Sequence, residues 1–423
     1  MCYNAVMIIQ RDSYLQQLIS AQGNGMAKVI TGIRRCGKSF LLNNIFRNYL
    51  SSQGYYGDQV VYLSLEDEYN AKLLDPAELS KFLRERVAQG CKYILLDEIQ
   101  KVSNFEGVVN GLITIPGVEV YITGSNSKFL SSDIITEFRG RGWEIHVWPL
   151  SFAEICKSVS GTSSAIWDQY VVYGGLPQVV LTDGSEQKEQ YLRLQASNIY
   201  LNDIVDRYKL RNESVLRALT NVVASNIGCL TSPNKLANTF TSVTGEKINW
   251  HTLSNYLSYM EDAFMIEKAE RYDVKGRHYI GSPVKYYFTD IGVRNSLINY
   301  RQIEETHIME NIVYNELRRR GYQVDVGVVE SRMRDGDKLR RNNLEIDFVA
   351  NKGSQRYYIQ SALDMPSREK IEQEKRSLAQ VNDQFKKIII TRTLTGGGRF
   401  RDDDGIVTLG IFDFLLDKNS LEY

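Results

Sequence analysis

The sequence carries no net charge and very little histidine. Its 51 Lys and Arg residues are balanced by 51 Asp and Glu residues. This balance excludes a uniformly basic nucleic-acid coat and an acidic, disordered solvating chain, although it permits a local basic face. Histidine is so sparse that a histidine-built zinc site is a poor expectation. The four histidines are His146, His251, His278 and His307.

Cysteine, proline and long apolar runs are also scarce. The five cysteines lack CxxC spacing, so we expect reduced thiols in a cytoplasmic protein rather than a disulfide framework. No stretch of the sequence reaches the ~18 apolar residues that a membrane span requires. The apolar start, MCYNAVMII, lacks a cationic leader, so we expect no secretory signal. The seven scattered prolines indicate short, ordered connections between domains.

A phosphate-binding loop stands near the start of the chain. The β-branched run AKVIT precedes GIRRCGKS, which matches G-x4-G-K-[ST], and an apolar helical run follows. This strand–loop–helix context is what a P-loop (Walker A motif) requires, whereas the alternative is an ordinary glycine-rich turn. Glycines let N–H groups surround phosphate oxygens, the lysine charge attracts the β- and γ-phosphates, and the serine hydroxyl can ligate Mg²⁺. The predicted cradle comprises Gly32, Ile33, Arg34, Arg35, Cys36, Gly37, Lys38, Ser39 and Phe40.

An acidic pair ends a second buried strand. The run YILL is followed by Asp97 and Glu98 about 60 residues after the P-loop, a Walker B pattern. Ligands bind at the carboxyl ends of parallel strands in open α/β sheets. We therefore expect Asp97 to hold Mg²⁺ and Glu98 to orient and deprotonate the attacking water. VVYLSL (60–65) is predicted to be a further strand, and residues 76–90 a helix ended by glycine.

The end of the next strand, VEVYIT, offers a polar side chain for the γ-phosphate or the water. Ser125 and Asn126 are both candidates, and a polar turn or helix N-cap is the alternative. Arg139 and Arg141 precede a fifth strand, WEIHVWPL. They are candidates for stabilising transition-state charge, in cis or from a neighbouring subunit, or are simply surface arginines.

This arrangement resembles an AAA+ ATPase core. The segments GIRRCGKSFLL, YILLDEIQ, FRGRGWEIHVWPLSFAEI and YVVYGGLPQVV are similar to a family of prokaryotic AAA-type ATP-binding proteins. The resemblance implies an α/β fold with a parallel-sheet P-loop core, ATP and Mg²⁺ as ligands, and a C-terminal winged-helix and restriction-endonuclease-like region. The implied divisions are an ATPase core (1–150), a helical lid (151–190), a winged-helix region (191–300) and a nuclease-like domain (301–423).

The middle of the chain predicts a winged helix. Three helices at 215–228, 232–242 and 249–266 precede a hairpin formed by KAERYDVKGRHY and VKYYFTD. The third helix offers amides, hydroxyls and a histidine but no lysine or arginine. We therefore expect this region either to bind DNA weakly or to bind a partner protein.

The C-terminal part resembles the restriction-endonuclease-like fold. Glu310 lies in a predicted helix, and Glu345 and Asp347 in a predicted strand. An active site of that kind needs E-x-K on the next strand, where this sequence has Gln360 and Ala362. We therefore expect nuclease activity to be lost. The basic stretch 331–343 is predicted to be a solvated loop or a phosphate-contacting arm.

Three hypotheses follow from the sequence. The first is an Mg²⁺-dependent ATPase that couples nucleotide state to a C-terminal interaction region. The second is a slow, nucleotide-gated switch that binds DNA, RNA or a partner protein, and the third is an Mg²⁺-dependent nuclease. A homo-oligomer agrees with the first, because AAA+ cores often form rings.

Overall fold

The computed structural model describes residues 8–124, 138, 140–245, 248–301, 303–335, 338–394 and 399–422. The chain divides into two compact units. The first comprises residues 1–150, 176–181 and 262–264, and the second comprises residues 151–175, 182–261 and 265–423. Within the described ranges, no helix combines the length and the apolar character needed to cross a bilayer.

The first unit is built on a parallel five-stranded sheet in the order β2–β3–β4–β1–β5. The strands are β1 (Ala27–Thr31), β2 (Val60–Ser64), β3 (Tyr93–Asp97), β4 (Glu119–Thr123) and β5 (Gly142–His146). All residues of β1 and β3 are buried, as expected for central strands covered on both faces. These strands coincide with the five predicted from the sequence. Because β4 separates β1 from β3, the P-loop and the acidic pair lie on either side of the end of β4.

Helices cover the parallel sheet. The helix Pro76–Ala88 begins where the Asp75 side chain accepts hydrogen bonds from the N–H groups of Ala77 and Glu78, at 2.9 and 3.0 Å. Its buried leucines pack with the helix Phe105–Leu112 in one hydrophobic core. The α-helices of this unit are Asp12–Ser20, Lys38–Phe40, Arg47–Ser52, Pro76–Ala88, Phe105–Leu112 and Pro177–Val180, with a π-helical segment at Leu41–Phe46 and 3-10 turns at Gly57–Gln59, Glu68–Leu74 and Ile99–Lys101.

The second unit contains a mixed sheet of eight strands in the order β12–β13–β11–β10–β9–β8–β6–β7. The strands are β6 (Ile266–Asp273), β7 (His278–Phe288), β8 (Gln323–Asp335), β9 (Lys338–Lys352), β10 (Gln355–Ala362), β11 (Lys386–Thr391), β12 (Phe400–Arg401) and β13 (Val407–Gly410). The helices in this part of the chain are Phe152–Ser158, Ser163–Tyr173, Ser185–Leu194, Gln195–Tyr200 (π-helical), Leu201–Tyr208, Glu213–Ser225, Pro233–Thr244, Trp250–Asp262, Ile291–Leu297, Glu305–Arg319, Arg368–Ala379 and Ile411–Leu416.

The three helices and the hairpin predicted for the winged-helix region are present in the expected order. The backbone of Thr231, between the first two helices, exchanges hydrogen bonds with Val284 of β7 at 2.7 and 2.8 Å. The hairpin β6–β7 is also part of the larger sheet, because β6 pairs in parallel with β8. The division at residue 300 stays a prediction, and it falls between strands of a single sheet.

The prediction of a loop at 331–343 is wrong. Its described residues belong to β8, which ends at Asp335, and β9, which begins at Lys338, and the two strands pair antiparallel with Arg332 opposite Arg341. The basic composition of the stretch led to the prediction of a loop, although its Asp-Gly dipeptide is a common hairpin signal. The side chains of residues 332–341 lie outside the described part of the structure.

Candidate nucleotide-binding site

The P-loop follows β1 in a backbone shape that glycine makes accessible. Gly32 has a φ of +135°, and a Cβ atom there would lie 2.1 Å from the carbonyl oxygen of Val147. Gly37 has a φ of +101° and immediately precedes the helix that begins at Lys38. A left-handed residue before a helix lets successive N–H groups point at one anion. The loop therefore has the backbone form that a phosphate site requires.

Lys38 is buried against its own loop. Its Nζ donates to the carbonyl oxygens of Gly32 and Ile33 at 2.8 and 3.1 Å, and the residue is 4% exposed. Both acceptors are neutral, so the ammonium keeps its full charge inside the loop. The curved loop thus presents a fixed positive charge at the carboxyl end of β1.

Asp97 is the centre of the hydrogen-bond network at the sheet edge. Its carboxylate accepts hydrogen bonds from the hydroxyl of Thr123 and from that of Tyr62 at 3.2 Å. Burial raises the pKa of Asp97, although the neighbouring hydroxyls of Thr123 and Ser39 oppose the shift. A buried carboxylate that faces three hydroxyls forms an oxygen-rich corner between the P-loop and β3.

Glu98 is positioned by its backbone and by a neighbouring amide. Its φ of 54° and ψ of 46° are left-handed, and its N–H donates to the Thr123 hydroxyl at 3.0 Å. The Gln100 side-chain amide donates to the Glu98 carboxylate. Non-glycine residues with left-handed φ and ψ concentrate at functional sites, where surrounding contacts hold them. The two predicted acids therefore lie in different surroundings, one buried and one half-buried.

The remaining predicted cradle residues divide into buried and exposed groups. Ile33 and Cys36 are buried, and the Cys36 thiol contacts the Val147 carbonyl at 3.2 Å. Arg34 pairs with Glu66 at 3.3 Å. Arg35 is exposed with a φ of 67°, and Phe40 is half-buried. Buried side chains thus hold the loop while the two arginines face outward.

An arginine that precedes the first helix braces the P-loop. Arg11 is 4% exposed and donates to the carbonyl oxygens of Cys36, at 3.2 Å, and Trp148, at 2.7 Å. Arg11 and Trp148 are 137 residues apart in the chain. No local pattern in the sequence marks such a contact, so Arg11 was not among the predicted residues.

Arg141 lies at the opposite end of the sheet from the P-loop. Its carbonyl accepts from the N–H of Ala27 at 2.8 Å, and Gly142 pairs with Ala27 at the amino end of β1. The length of β1 separates Arg141 from the P-loop by roughly 16 Å at ~3.3 Å per residue. Arg141 therefore lies away from the P-loop of its own chain, and its role, in cis or from a neighbouring subunit, stays a prediction. Ser125, Asn126 and Arg139 lie outside the described residues, and their roles stay predictions.

The carboxylates of Glu310, Glu345 and Asp347, on which the nuclease hypothesis depends, lie close together in the second unit. Lys285 of β7 lies among them, with Nζ–O distances of 2.8 Å to Glu310, 2.7 Å to Glu345 and 3.9 Å to Asp347. The hydroxyl of Tyr287 donates to Glu310 at 2.7 Å. The carboxylates raise the pKa of Lys285 against the effect of its burial, so the ammonium stays charged. Across the described ranges, no group of three or more His, Cys, Asp and Glu side chains could hold a metal ion.

β10, the strand expected to supply E-x-K, carries Gln360 and Ala362, and neither side chain contributes a charge to the cluster. The amide oxygen of Gln360 accepts from the N–H of Asp347 at 3.4 Å and from the Ser377 hydroxyl at 3.5 Å. Ala362 packs in the core with Leu378 of the helix Arg368–Ala379. The lysine of the cluster therefore comes from β7, a strand for which the sequence predicted no such role.

Thr123, Tyr62 and Gln100 are further residues of the nucleotide site that were not predicted. Thr123 is the last residue of β4, whereas the polar contact was expected two or three residues further on. The rule that carboxyl ends of parallel strands meet at one edge could have identified it. Tyr62 and Gln100 carry no motif, because each is recognised only by its contact with the acidic pair.

Comparisons with known proteins match two segments of this chain and two relatives. An AAA domain model matches residues 24–156, and a model described as a domain of unknown function (DUF8612) matches residues 164–304. An uncharacterized protein of Haemophilus influenzae is 36% identical over 419 residues, covering 97% of this chain and 99% of the relative. Uncharacterized protein MJ1544 of Methanocaldococcus jannaschii is 30% identical over 337 residues, covering 76% of this chain and 71% of the relative.

The solved structures to which this chain is similar are more distant. The Orc1 protein of Aeropyrum pernix in complex with DNA is 12% identical, with 69% of this chain and 93% of that chain covered and a TM-score of 0.28. The replication initiator DnaA bound to AMPPCP and single-stranded DNA is 15% identical, with coverage of 59% and 86% and a TM-score of 0.32. Likenesses this weak carry no argument about function. The AAA-domain match and the parallel P-loop sheet confirm the predicted AAA+ fold, and the chain belongs to the AAA-type ATP-binding protein family.

Proposed function

We propose that this chain is an Mg²⁺-dependent ATPase whose nucleotide state is coupled to an interaction region in its C-terminal half. The observation that carries the proposal is the proximity of the Ser39 hydroxyl to the buried Asp97 carboxylate, whose pKa it lowers against the effect of burial. It brings the end of the P-loop to the end of β3, so the groups that recognise phosphate and metal converge at one sheet edge.

Two groups of the P-loop account for phosphate binding. The N–H groups around Gly37 would donate hydrogen bonds to phosphate oxygens at the start of the helix, where the helix dipole favours negative charge. The Lys38 ammonium would exchange its carbonyl acceptors, Gly32 and Ile33, for oxygens of the β- and γ-phosphates. Charged acceptors are stronger partners than carbonyls, which favours the exchange.

Ser39 and Asp97 fit a magnesium ion. They supply a hydroxyl and a carboxylate, which are oxygen ligands of the kind that Mg²⁺ prefers. When bound, Mg²⁺ neutralises negative charge that develops on the transferred phosphoryl group. Burial of Asp97 disfavours its ionised form, so a nearby cation would stabilise this carboxylate.

We assign to Glu98 the role of orienting the attacking water. It is half-buried next to Asp97, and the Thr123 hydroxyl fixes its backbone N–H at 3.0 Å. A carboxylate held at the sheet edge would orient the attacking water and accept its proton. Arg141 lies at the other end of β1, so any action of Arg141 on a phosphate would come from a neighbouring subunit.

Two substitutions test the assignment. We expect Glu98→Gln to retain ATP binding while turnover falls by about 100-fold or more. Lys38→Ala should lose ATP affinity. Matched controls are Glu85→Gln and Lys81→Ala, which change exposed residues of the helix Pro76–Ala88. Turnover that survives Glu98→Gln would remove Glu98 from the reaction, and unchanged affinity in Lys38→Ala would contradict the P-loop role.

A slow nucleotide-gated switch is the second candidate. The observation that favours it is the hydrogen bond from Gln100 to the Glu98 carboxylate, because an engaged carboxylate is a weaker proton acceptor. We expect Gln100→Ala to raise steady-state ATP turnover several-fold. The assay is run with and without DNA or RNA. Equal turnover in the variant and the wild type would contradict a restraint by Gln100.

We propose a structural role for the carboxylate cluster of the second unit rather than nuclease activity. The ammonium of Lys285 lies within 3.9 Å of all three carboxylates, where a metal ion would have to bind. Plasmid cleavage with Mg²⁺ or Mn²⁺ tests this interpretation. Cleavage by the wild type that disappears in Asp347→Ala would overturn it.

The oligomeric state decides where an arginine could act. We propose that a homo-oligomer forms in the ATP-bound state, in which Arg141, at the far end of its own β1, could reach the P-loop of a neighbouring subunit. Mass measurement of Glu98→Gln with and without ATP tests this proposal. A monomer under both conditions would exclude Arg141 from the reaction.

A further inference from the structure

Two adjoining cavities open at one end of the eight-stranded sheet. The larger, of about 650 Å³, lies between the tip of the β6–β7 hairpin, the β9–β10 turn and the residues that precede β11. The smaller, of about 460 Å³, lies between the start of β11 and the edge strand β12. Asp383 and Phe385 line both cavities, so the two form one surface, which we name the cationic cleft.

Positive charge dominates the cationic cleft. The larger cavity is lined by Lys275, Arg277 and Arg356. The smaller is lined by Lys386, Lys387, Arg399 and Arg401. The carboxylates in the two walls are Asp383 and Asp404. In a chain with no net charge, this excess of cations on one surface is a strong local departure from the average.

Neutral groups hold the lysines in place. Lys275 donates to the carbonyl of Glu330 at 2.8 Å, Lys387 to that of Val381 at 2.6 Å, and Lys386 to that of Leu421 at 3.3 Å. Carbonyl oxygens orient an ammonium but do not cancel its charge. Burial lowers the pKa of Lys386, and the neighbouring charges of Arg399 and Arg401 add to this effect, as expected where cations crowd together.

The two carboxylates already have other partners. Asp383 accepts from the Tyr358 hydroxyl at 2.5 Å. Asp404 lies 3.7 Å from Lys375, which also pairs with Asp402 at 2.5 Å. Asp404 is therefore shared with a lysine outside the cleft and offsets its cations less than a free carboxylate would, whereas Asp383 keeps its negative charge.

Aromatic rings are interleaved with the cations. Phe385 is 40% exposed and Phe400 is 51% exposed, although both are large apolar side chains. The guanidinium of Arg356 lies over the rings of Phe385, at 5.4 Å, and Tyr272, at 5.5 Å. Exposed rings beside a positive groove are the recurring device by which proteins bind unpaired bases and the phosphate backbone together.

We propose that the cationic cleft binds single-stranded nucleic acid. The cations contact successive phosphates, and the rings of Phe385 and Phe400 stack on bases. A duplex keeps its bases stacked on one another and cannot use these rings, so the exposed phenylalanines favour a single strand. The single strand is then the partner of the C-terminal region, and in that respect the proposal rests on the function proposed above.

Fluorescence anisotropy of the full chain without nucleotide tests the proposal. The probe is a labelled oligothymidine of about 20 nucleotides, longer than the ~4–16 nucleotides that a stacking groove usually occupies. We expect Phe385→Ala and Phe400→Ala each to weaken binding about fivefold or more. Arg277→Gln combined with Arg401→Gln should reduce the slope of log affinity against log salt by about 1.4.

Matched controls separate the cleft from general surface effects. Tyr69→Ala removes a ring that is 93% exposed in the first unit, and Lys81→Gln removes an exposed charge there. Neither should change the affinity. Wild-type affinity in every cleft variant would overturn the proposal. A duplex that binds as tightly as the single strand would also overturn the proposal, because the partner would then be double-stranded DNA. Polyglutamate that competes as well as the oligonucleotide would overturn it too, because the partner would then be an acidic protein.

Lys38→Ala separates this inference from the proposed ATPase. If Lys38→Ala loses ATP but binds the oligonucleotide normally, both the P-loop role and the cleft stand. If the wild type hydrolyses ATP but does not bind the oligonucleotide, the cleft assignment alone is wrong.

Discussion

The hydroxyl of Thr123, the last residue of β4, donates a hydrogen bond to the carboxylate of Asp97, the last residue of β3. The same hydroxyl accepts from the N–H of Glu98 at 3.0 Å. One completely buried hydroxyl therefore fixes both acids that follow one another at the end of β3.

Thr123→Val keeps the shape of this side chain and removes its hydroxyl. The buried Asp97 carboxylate and the Glu98 N–H each lose a partner, which should cost about 1–3 kcal/mol of unfolding free energy. We expect ATP turnover to fall by about tenfold or more, because Glu98 is no longer held. Thr123→Ser restores the hydroxyl and should approach wild type in urea denaturation and in turnover. Equal activity in Val and Ser variants would contradict this role.

A pair of glycine substitutions should have opposite effects on stability. Gly32→Ala places a Cβ atom 2.1 Å from the Val147 carbonyl at a φ of +135°, so we expect a loss of about 3 kcal/mol or more. Gly107 lies in the helix Phe105–Leu112, and no atom beyond the nearby backbone of that helix lies within 4 Å of the position that a Cβ atom would take there. Gly107→Ala should therefore gain about 0.5–1 kcal/mol. Chemical denaturation of both variants measures the contrast, and equal losses would contradict it.

Removal of the Lys285 charge should destabilise the second unit strongly. Lys285→Met leaves the buried Glu310 carboxylate without its cation, at a cost of about 3–5 kcal/mol. Lys268→Met is the matched control, because Lys268 pairs with Glu270 at 3.0 Å on a more exposed part of the same hairpin. Its cost should stay below about 1 kcal/mol.

Glu310→Gln added to Lys285→Met should recover part of the lost stability, because the buried Glu310 charge that lost its counter-ion is then removed. Urea denaturation of the single and double variants measures this recovery. A cost near that of Lys268→Met would show that the cluster does not stabilise the fold, and the structural interpretation would fail.

Asp290 should make stability depend on pH. It is 3% exposed, caps the helix Ile291–Leu297 and accepts from the N–H of Gly175 at 2.8 Å. Burial raises the pKa of Asp290 to about 6, against backbone hydrogen bonds that lower it. Between its ordinary value of 3.8 and about 6, the folded chain therefore holds more protons than the unfolded chain. The contribution of Asp290 to stability falls as pH rises through this range and is constant above it.

Asp290→Asn removes this titration. The stability of wild type relative to the variant should fall by about 2 kcal/mol from pH 4 to pH 6. Urea denaturation at successive pH values measures the difference. The exposed Asp168→Asn should instead run parallel to wild type. If wild type instead became more stable relative to Asp290→Asn as pH rises, the raised pKa of Asp290 would be contradicted.

Much of the nucleotide-binding unit was predictable because its signals are local. Each buried strand is a continuous apolar run, and the P-loop and the acidic pair follow directly after such runs. Arg11 was not predictable in this way, because its partner Trp148 is 137 residues away. Lys285 was not predicted for a different reason. The carboxylates it binds were identified, but the lysine was sought on β10 and comes from β7.

The placement of β6 between β7 and β8 has a consequence for any attempt to divide this chain. A cut at residue 300 would part β6 from β8 and leave each piece with a bare strand edge, a surface that invites aggregation. We therefore expect the hairpin and the C-terminal strands to fold as one unit, and a fragment that begins after residue 300 to aggregate.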